Sequence, residues 1–596
     1  MCRIAGIFQQ GSTVIAEQIQ SMRDAMKHGG PDDAGLFIHQ SLPFALGHRR
    51  LSLLDLSAAG NQPMHFPESN LTIIFNGEIY NFQELRNTLI SRGYQFHTQT
   101  DTEVILKAYD FWGIDCFEFF NGMFAIAIWD EIKQELILAR DHAGIKPLYF
   151  YISHDTLLFA SEIRAFHQSG ISFEENPKWK TAFLAFGHLP EPVTTLKNVQ
   201  PLEKGTALVV SLPSLKTKKH CFFKWEFSNE LMEEEEAIML IRETISKSVE
   251  RHMISDAPLG LFLSGGIDSS VLALIAYQLT NHLSTLSVIF NEKKFSEEKY
   301  QQIILEKIKS HHQAYLVTQK EFDEYLPDSL KAMDQPSLDG INTYFISRYA
   351  KQHGLKAVLS GLGADELFGG YPSFFNRGKL NLLRLVPDRL LLSLQLMPDY
   401  RIRKLGYAGI HNAAAEYLTM RGIFTPLAIA GIQDMYQDEV IRDLVEIGAH
   451  YHFDDLHGGN RTSWLETNFY MQNQLLKDSD YMSMWHGLEI RVPFLDKELM
   501  MLVSQVNSVV KYNQALPKYL LVKSFENELP NEIWNRKKQG FTFPFDGWLK
   551  ENEYSKPVNS LETKLYEKFN RGKLSWGRYW CGLLMNRFSQ EFSHAA

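Results

Sequence analysis

The second residue of the chain is a cysteine. Removal of the initiator Met1, favoured by a small following residue, puts a thiol and a free α-amine together on Cys2. An amine with an unperturbed pKa near ~8 can take the thiol proton directly or through water, giving a self-contained nucleophile and base. A thiolate that attacks an amide carbonyl needs two hydrogen-bond donors for the oxyanion it creates. The string NGEIYN supplies a side-chain amide, Asn76, and a backbone N–H, Gly77. LGHRRLSLLD supplies Arg50, whose guanidinium suits bidentate binding of a carboxylate. Glu78, and Asp101 in TQTDTEVIL, offer carboxylates to an ammonium. Each alone is a weak signal, since Asn-Gly most often just makes a turn. Together they describe a site for a free amino acid with a side-chain amide, glutamine.

A second string, LGLFLSGGIDSSVLAL, reads as a strand, a Ser-Gly-Gly turn and the start of a helix. Gly265 and Gly266 permit close backbone approach, and Ser264, Ser269 and Ser270 offer hydroxyls. The helix directs its first N–H groups at the turn and makes an anion site. No Gly-Lys-Ser/Thr follows, so this is not a Walker A loop. Asp268 would repel phosphate unless it holds Mg²⁺ or caps the helix. KAVLSGLGADELFGGYPSF puts Ser360 and Gly361 at the end of another strand, where a doubly wound sheet binds ligands. Asp365 and Glu366 follow as further carboxylates for Mg²⁺. Leu263 and Val288, at the ends of the first two strands, are positioned to contact adenine or ribose.

Two kinds of framework must hold these groups. Over the first 225 residues, IAGIF, LTIIFNG, MFAIAIWD, ELILARD, PLYFYIS and TLLFASE are short apolar or alternating runs, which predict strands. Ile15 to Lys27 and Phe82 to Ser91 have helical spacing instead. Clustered strands with few helices predict antiparallel sheets covered by helices. The acidic stretch around residues 226–236 marks a boundary and suits the first turn of a helix. From residue 237 strand and helix alternate, which predicts a parallel, doubly wound sheet. Residues 380–596 are rich in helical patterns and aromatics, with no clear sheet, and extend the second domain. The expected domains are 2–225 and 237–596.

Composition narrows the function classes. At 596 residues, roughly two to four domains are expected. With 45% apolar and 22% charged residues, disorder, collagen and coiled coil are poor descriptions. A net charge of −10 argues against nucleic acid as the main partner, while leaving room for a local phosphate pocket. Four cysteines without a C-x-x-C pair give neither a disulfide framework nor zinc. The N-terminus is no secretory signal and no apolar run is long enough to span a membrane, so a soluble, cytoplasmic setting is expected.

The order MC-x-I-x-G-I-F, GPD, RLS, NGEIYN, D-x-E-V and RDHAGIKPLY, over about residues 2–210, resembles the class II glutamine amidotransferase domain. That resemblance implies an N-terminal-nucleophile hydrolase fold, an αββα sandwich. It implies Cys2 as nucleophile, Asn76 and Gly77 as oxyanion hole, and Arg50, Glu78 and Asp101 as glutamine ligands. The backbone of Leu51, Ser52, Leu53 and Leu54 would line the pocket. Where the family often has HRGPD this chain has HGGPD, with Gly29 in place of Arg. SGGIDSS resembles the pyrophosphate loop of the ATP-pyrophosphatase group. Both halves in this order resemble glutamine-hydrolysing asparagine synthetases over nearly the whole chain. MSMWHGLEIRVPFLDKEL, LPKYLLVKSF and RKKQGF agree with it, and Lys518 falls on the family's catalytic lysine.

The resemblance implies ATP and Mg²⁺, held by the loop residues, Asp268 and Asp365. It also implies an acyl-adenylate, ammonia released by glutamine and passed internally, and a homodimer. The acceptor carboxylate is where the resemblance thins. Well-characterised asparagine synthetases resemble SGEGSDE at the second loop; this chain has SGLGADE, with Leu362 in place of a carboxylate. Aspartate is the expected acceptor, and a uronic sugar, peptide or antibiotic precursor is the alternative. A catalytically inactive nucleotide-binding scaffold is the reading from another class. DQPSLDGINTYF, with Asp334, Asp339 and Asn342, is expected to face the acceptor.

Overall fold

The computed structural model describes residues 2–595 apart from 229–232, 281, 376–381, 454, 455, 538, 539 and 541. Met1, the middle of the acidic stretch at 226–236 and parts of RKKQGF therefore lie outside the described residues.

Period-2 patterning builds the first half. In the strand Arg3–Gln9, Ile4 and Phe8 pack toward a second sheet, against Ile74, Ala125 and Trp129. Their neighbours Ala5 and Ile7 pack the other way, with Ile19, Met22 and Phe166 from covering helices. The second sheet repeats the pattern. Ile74 faces inward, while Ile73 and Phe75 meet Leu85, Leu89 and Ile105 of the helices Phe82–Ser91 and Asp101–Trp112. Two six-stranded sheets lie between two helical layers, as an αββα sandwich requires. Within the first sheet Arg3–Gln9 is central and antiparallel to Phe44–Arg50 and Thr156–Ala160. In the second, Leu71–Ile79 pairs along its whole length with Gly122–Asp130. The helix Asp101–Trp112, which carries Asp101, and the strand Phe44–Arg50, which carries Arg50, are elements that the sequence patterning did not resolve.

The second half is built on a five-stranded parallel sheet. Its spatial order is His311–Leu316, Ser284–Ile289, Leu259–Phe262, Ala357–Leu359 and Glu489–Arg491. The order reverses between Leu259–Phe262 and Ala357–Leu359, which opens a crevice at their C-terminal ends. The expectation of no sheet beyond residue 380 is corrected by Glu489–Arg491. Only three residues long, it is buried and pairs in parallel with Ala357–Leu359.

The halves are locked by buried ion pairs. Arg3 meets Glu162 at 2.6 Å and Asp480 at 2.8 Å, and Lys146 meets Asp480 at 2.6 Å. Gly29 lies against Arg3, and a Cβ there would approach Arg3 Cγ and Nε to 2.8 Å. No helix among the described residues is long and apolar enough to cross a membrane.

Candidate functional site

Cys2 precedes the strand Arg3–Gln9 and is 8% exposed. Its backbone N–H donates to Asn76 Oδ1 at 3.2 Å, joining the first sheet to the second across the sandwich. Asn76 is fully buried, and its Nδ2 has no hydrogen-bond partner among the described residues. A buried amide donor left unpaired is costly, which marks a place for an acceptor. Gly77 sits where the strands touch: a Cβ would come within 2.0 Å of the Met123 carbonyl oxygen. Burial pushes the Cys2 thiol up, opposed by the Leu51 backbone and by Arg50.

Arg50 is the hinge of the loop that follows it. Its Nη1 donates to the Ser57 carbonyl at 2.8 Å and to Asn61 Oδ1 at 2.6 Å, and its Nη2 donates to the Asp55 carbonyl at 2.5 Å. The guanidinium is thus held by the loop containing Leu51–Leu54, and a ligand carboxylate would share it with these acceptors. Ser52 N–H is fixed by Asp32 Oδ2 at 2.8 Å, and Leu51 and Leu53 are buried, with Leu54 partly buried at the edge of the second-sheet core. Asp101 opens its helix and accepts from Ile79 N–H at 3.0 Å. Burial, with Glu489 adding to it, pushes Asp101 up to about 7. Glu78 is raised well above the carboxylate range by burial and by Asp101, against the pull of Arg491. Arg491 Nη2 lies 3.4 Å from Glu78 Oε1. Arg491 and Glu489 escaped the sequence reading, although a charged pair inside the apolar, Gly- and Pro-flanked run GLEIRVP could have flagged them.

The crevice of the parallel sheet holds a cavity of about 390 Å³. Leu263, Ser264, Gly266, Asp268, Ser269, Val288, Ser360 and Gly361 all line it, as do Leu362, Asp365, Glu366 and Lys518. Ser269 Oγ lies 3.0 Å from Ser264 Oγ, so the hydroxyls cluster at the start of the helix Ile267–Leu279. Two predicted residues are not brought to the cavity wall. Ser270 is fully buried in the helix, one position beyond the wall. Gly265 is turned beneath the loop, where its carbonyl accepts from Arg536 at 3.0 Å. Arg536, from RKKQGF, also pairs with Glu297 at 2.8 Å and lies over the Tyr300 ring, and so clamps the loop.

Lys518 is 4% exposed, and its Nζ lies 2.5 Å from Asp268 and 2.6 Å from Asp365. Burial alone would lower its pKa; the two carboxylates outweigh that and hold it above the usual lysine range. Its backbone is left-handed, with φ of 54°. Gly370 makes the room, since a Cβ there would lie 2.5 Å from Lys518 Cε. Asp268 and Asp365 thus converge on the Lys518 ammonium, and their oxygens are of the type that suits a hard divalent ion beside phosphate, which would share them with that lysine. Glu366 is pushed up to about 7 by burial and by Asp365, and accepts from Tyr371 Oη at 2.7 Å.

Asp334 does not face this cavity. It receives the backbone N–H groups of Ile163 and Arg164 at 2.7 and 3.0 Å, and belongs to the contact between the halves. Asp339 and Asn342 do line the cavity, together with Asp478, Gly340 and Thr343. Asp339 is raised by burial, and Asp478 is raised well above the carboxylate range by burial and by Asp339. Tyr470, from the π-helical turn Glu466–Leu475, completes this wall.

The family model described as asparagine synthase matches residues 240–568, and that of the glutamine amidotransferase domain matches residues 1–221. Asparagine synthetase [glutamine-hydrolyzing] 1 of Bacillus subtilis is 33% identical over 94% of this chain and 90% of its own length. A putative asparagine synthetase of Methanocaldococcus jannaschii is 34% identical over 65% of this chain and 79% of its own. The amidase chry2 of Gibberella zeae is 26% identical over 94% of this chain and 90% of its own.

Proposed function

Since the chain belongs to the asparagine synthase family, in which glutamine amidotransferase and ATP-dependent ligase modules share one polypeptide, we propose that it converts aspartate to asparagine. The observation that carries this reading is the pairing, in one chain, of the Cys2–Asn76 contact with a phosphate-type cavity closed by Lys518. In the proposed cycle, a carboxylate oxygen of the acceptor attacks the α-phosphorus of ATP, and pyrophosphate leaves with the bond it held. Ser264, Gly266 and Ser269 receive phosphate oxygens, and Lys518 neutralises charge on the leaving group. Asp268 and Asp365 would hold Mg²⁺, whose role is to offset phosphate charge. At the other site, with Met1 removed, the Cys2 amine takes the thiol proton. The thiolate attacks the glutamine amide, and the oxyanion falls to Asn76 Nδ2 and the Gly77 N–H. Ammonia leaves with the transferred proton, and water hydrolyses the thioester to glutamate. Ammonia then displaces AMP from the acyl-adenylate to form the amide.

Aspartate as acceptor is supported by two features besides the names of the relatives. Asp339 and Asp478, both raised by burial, suit an α-ammonium placed between them. The helix Ile341–Gln352 starts at the same wall and offers N–H groups and Asn342 to an α-carboxylate. Purified enzyme with glutamine, Mg-ATP and aspartate is expected to yield asparagine, AMP and pyrophosphate in equal amounts. Asp339→Asn and Asp478→Asn are expected to raise the KM for aspartate about tenfold or more, as loss of a charged hydrogen bond does. Glutamine hydrolysis without asparagine formation would sink the aspartate assignment. A uronic acid, which has no ammonium, would be indifferent to those two carboxylates as charges.

The glutamine site carries its own pH signature. Asp101 is pushed up to about 7, so its charge is lost as pH falls through that value. It is proposed to hold the α-ammonium of glutamine as a carboxylate. kcat/KM for glutamine is therefore expected to fall below pH 7, by up to about tenfold per unit from this group alone. Asp101→Asn should lower the plateau and reduce the steepness of the profile by one proton. An unchanged steepness would assign the titration elsewhere.

A further inference from the structure

Residues 385–404 carry their polarity the wrong way round. The helix Asp388–Ser393 and the turn Leu394–Leu396 rest on the turn Leu405–Ile410. Leu391 and Gln395 face inward: a Cβ on Gly409 would lie 3.5 Å from Leu391 Cβ, and one on Gly406 would lie 2.6 Å from Gln395 Cγ. Gln395 is buried, and its Oε1 accepts from Leu427 N–H at 2.9 Å. The outward positions go to aliphatic side chains instead. Leu385 is 82% exposed, Leu396 75% and Leu390 58%, and Met397 and Ile402 are exposed as well. Single exposed leucines are ordinary; five large aliphatic side chains on short elements packed together make a patch. The same stretch gathers positive charge. It has four basic residues against two acidic ones, in a chain of net charge −10. Both acids are committed: Asp388 pairs with His411 at 2.5 Å, and Asp399 Oδ1 accepts from Arg401 N–H at 2.7 Å. Among the described residues, none of Arg389, Arg401, Arg403 and Lys404 has a carboxylate within ion-pair distance. Arg403 and Lys404 donate to the carbonyls of Met397 and Met420 instead. Lys404 is pushed down to about 8 by burial and by Arg578, Arg421 and Arg401, as happens where cations gather without acids. Elsewhere exposed cations find partners, as Lys197 does in Glu174 and Lys219 in Glu203.

We propose that residues 385–404 dock this protein on the surface of an anionic lipid bilayer. The leucines enter the boundary between headgroups and acyl chains, while Arg389 and Arg401, both exposed, meet lipid phosphates. A bilayer suits the patch better than the other occupants of an apolar face. A symmetric contact with a second copy would set these cations against themselves. A protein partner is held by aromatic anchors seated in pockets. The exposed side chains of this patch are aliphatic and stand out from the surface, and a fluid layer needs no matching shape. The docking is peripheral, because the helices of the segment are far too short to span a bilayer. It is independent of the acceptor and of both reactions described above.

The test sediments full-length protein with vesicles of phosphatidylcholine alone and with vesicles that also hold about 30% phosphatidylglycerol. The partition coefficient is expected to be at least about tenfold higher on the anionic vesicles, and to fall about tenfold between about 0.1 and about 0.5 M salt. Leu390→Ser with Leu396→Ser, and separately Arg389→Gln with Arg401→Gln, are each expected to lower it by about tenfold or more. All four side chains are exposed, so the melting temperature and the activity in solution should match the parent. No partitioning to anionic vesicles, equal partitioning to neutral ones, or variants that bind as the parent does would overturn the proposal. So would a leucine variant that splits an oligomer at sedimentation equilibrium while the parent ignores lipid, which would give the face to a second copy. Failure to form asparagine would count against the functional reading alone and leave the docking standing.

Discussion

A Cys2→Ala enzyme is expected to lose glutamine-dependent amide formation by at least about 10⁴-fold, the scale of removing a nucleophile, while ammonium salts still drive the reaction. The expectation follows from separation of the two chemistries. Cys2 contacts Asn76 at the bottom of the sandwich, and none of the residues lining the nucleotide cavity belongs to that contact. Ammonia supplied from solution needs only the acyl-adenylate. The substitution is also mild for the fold, because Cys2 is a small buried side chain and alanine leaves little space to collapse. The measurement is AMP release with glutamine and with ammonium chloride in parallel. Loss of both activities in a folded variant would mean that the two sites are not independent centres.

The mirror image is expected at Lys518. Lys518→Met should cut AMP formation from either nitrogen source by about 10²–10³-fold, the usual scale for removing a group aimed at developing charge. Glutamine hydrolysis without nucleotide should persist. Lys518→Arg is expected to recover little. The Lys518 stem packs against Gly370 and its compact head sits between Asp268 and Asp365 at 2.5 and 2.6 Å, a placement that a wider planar head does not reproduce. Asp268 and Asp365 would also face each other without their shared cation, and the methionine variant should melt earlier and respond strongly to added Mg²⁺. Pyrophosphate exchange and a thermal melt with and without magnesium separate the chemical loss from the stability loss.

What could be read beforehand follows from where the chemistry and the local pattern coincide. Cys2 and Ser264 lie at strand ends, Asp268 at the start of a helix and Asn76 within a strand, each in a string whose residue types announce themselves. The same is true of the apolar runs of both sheets, whose alternation survives because one face of each strand meets helices and the other meets its partner sheet. The strand Glu489–Arg491 was illegible because two of its three residues are charged. Nothing local reveals that those charges satisfy one another and Glu78 inside an interface. Asp334 was grouped with Asp339 by proximity in sequence, but the four residues between them carry the chain from the contact with Arg164 into the cavity. Ser270 was grouped with Ser269 for the same reason, and a helix turns successive residues about 100° apart, so one faces the crevice and the next the core. Asp478, on the helix Leu476–Met484, needed tertiary structure to bring it beside Asp339.

The buried charges that join the halves also limit how freely the parts can be exchanged. Arg3 immediately follows the cysteine, yet one of its two carboxylates, Asp480, comes from almost five hundred residues further along the chain. Lys146 shares that carboxylate, and Asp334 returns the exchange by capping Ile163 and Arg164. Cutting the chain after the first half would take Asp480 from Lys146, leave Arg3 with Glu162 alone, and open to water a face that is buried in the whole chain. Grafting that half onto a different ligase would require the new partner to present a carboxylate at the same spot. The amide-hydrolysing half is thus no free-standing cassette: recombination between relatives can preserve it only by carrying Asp480 along.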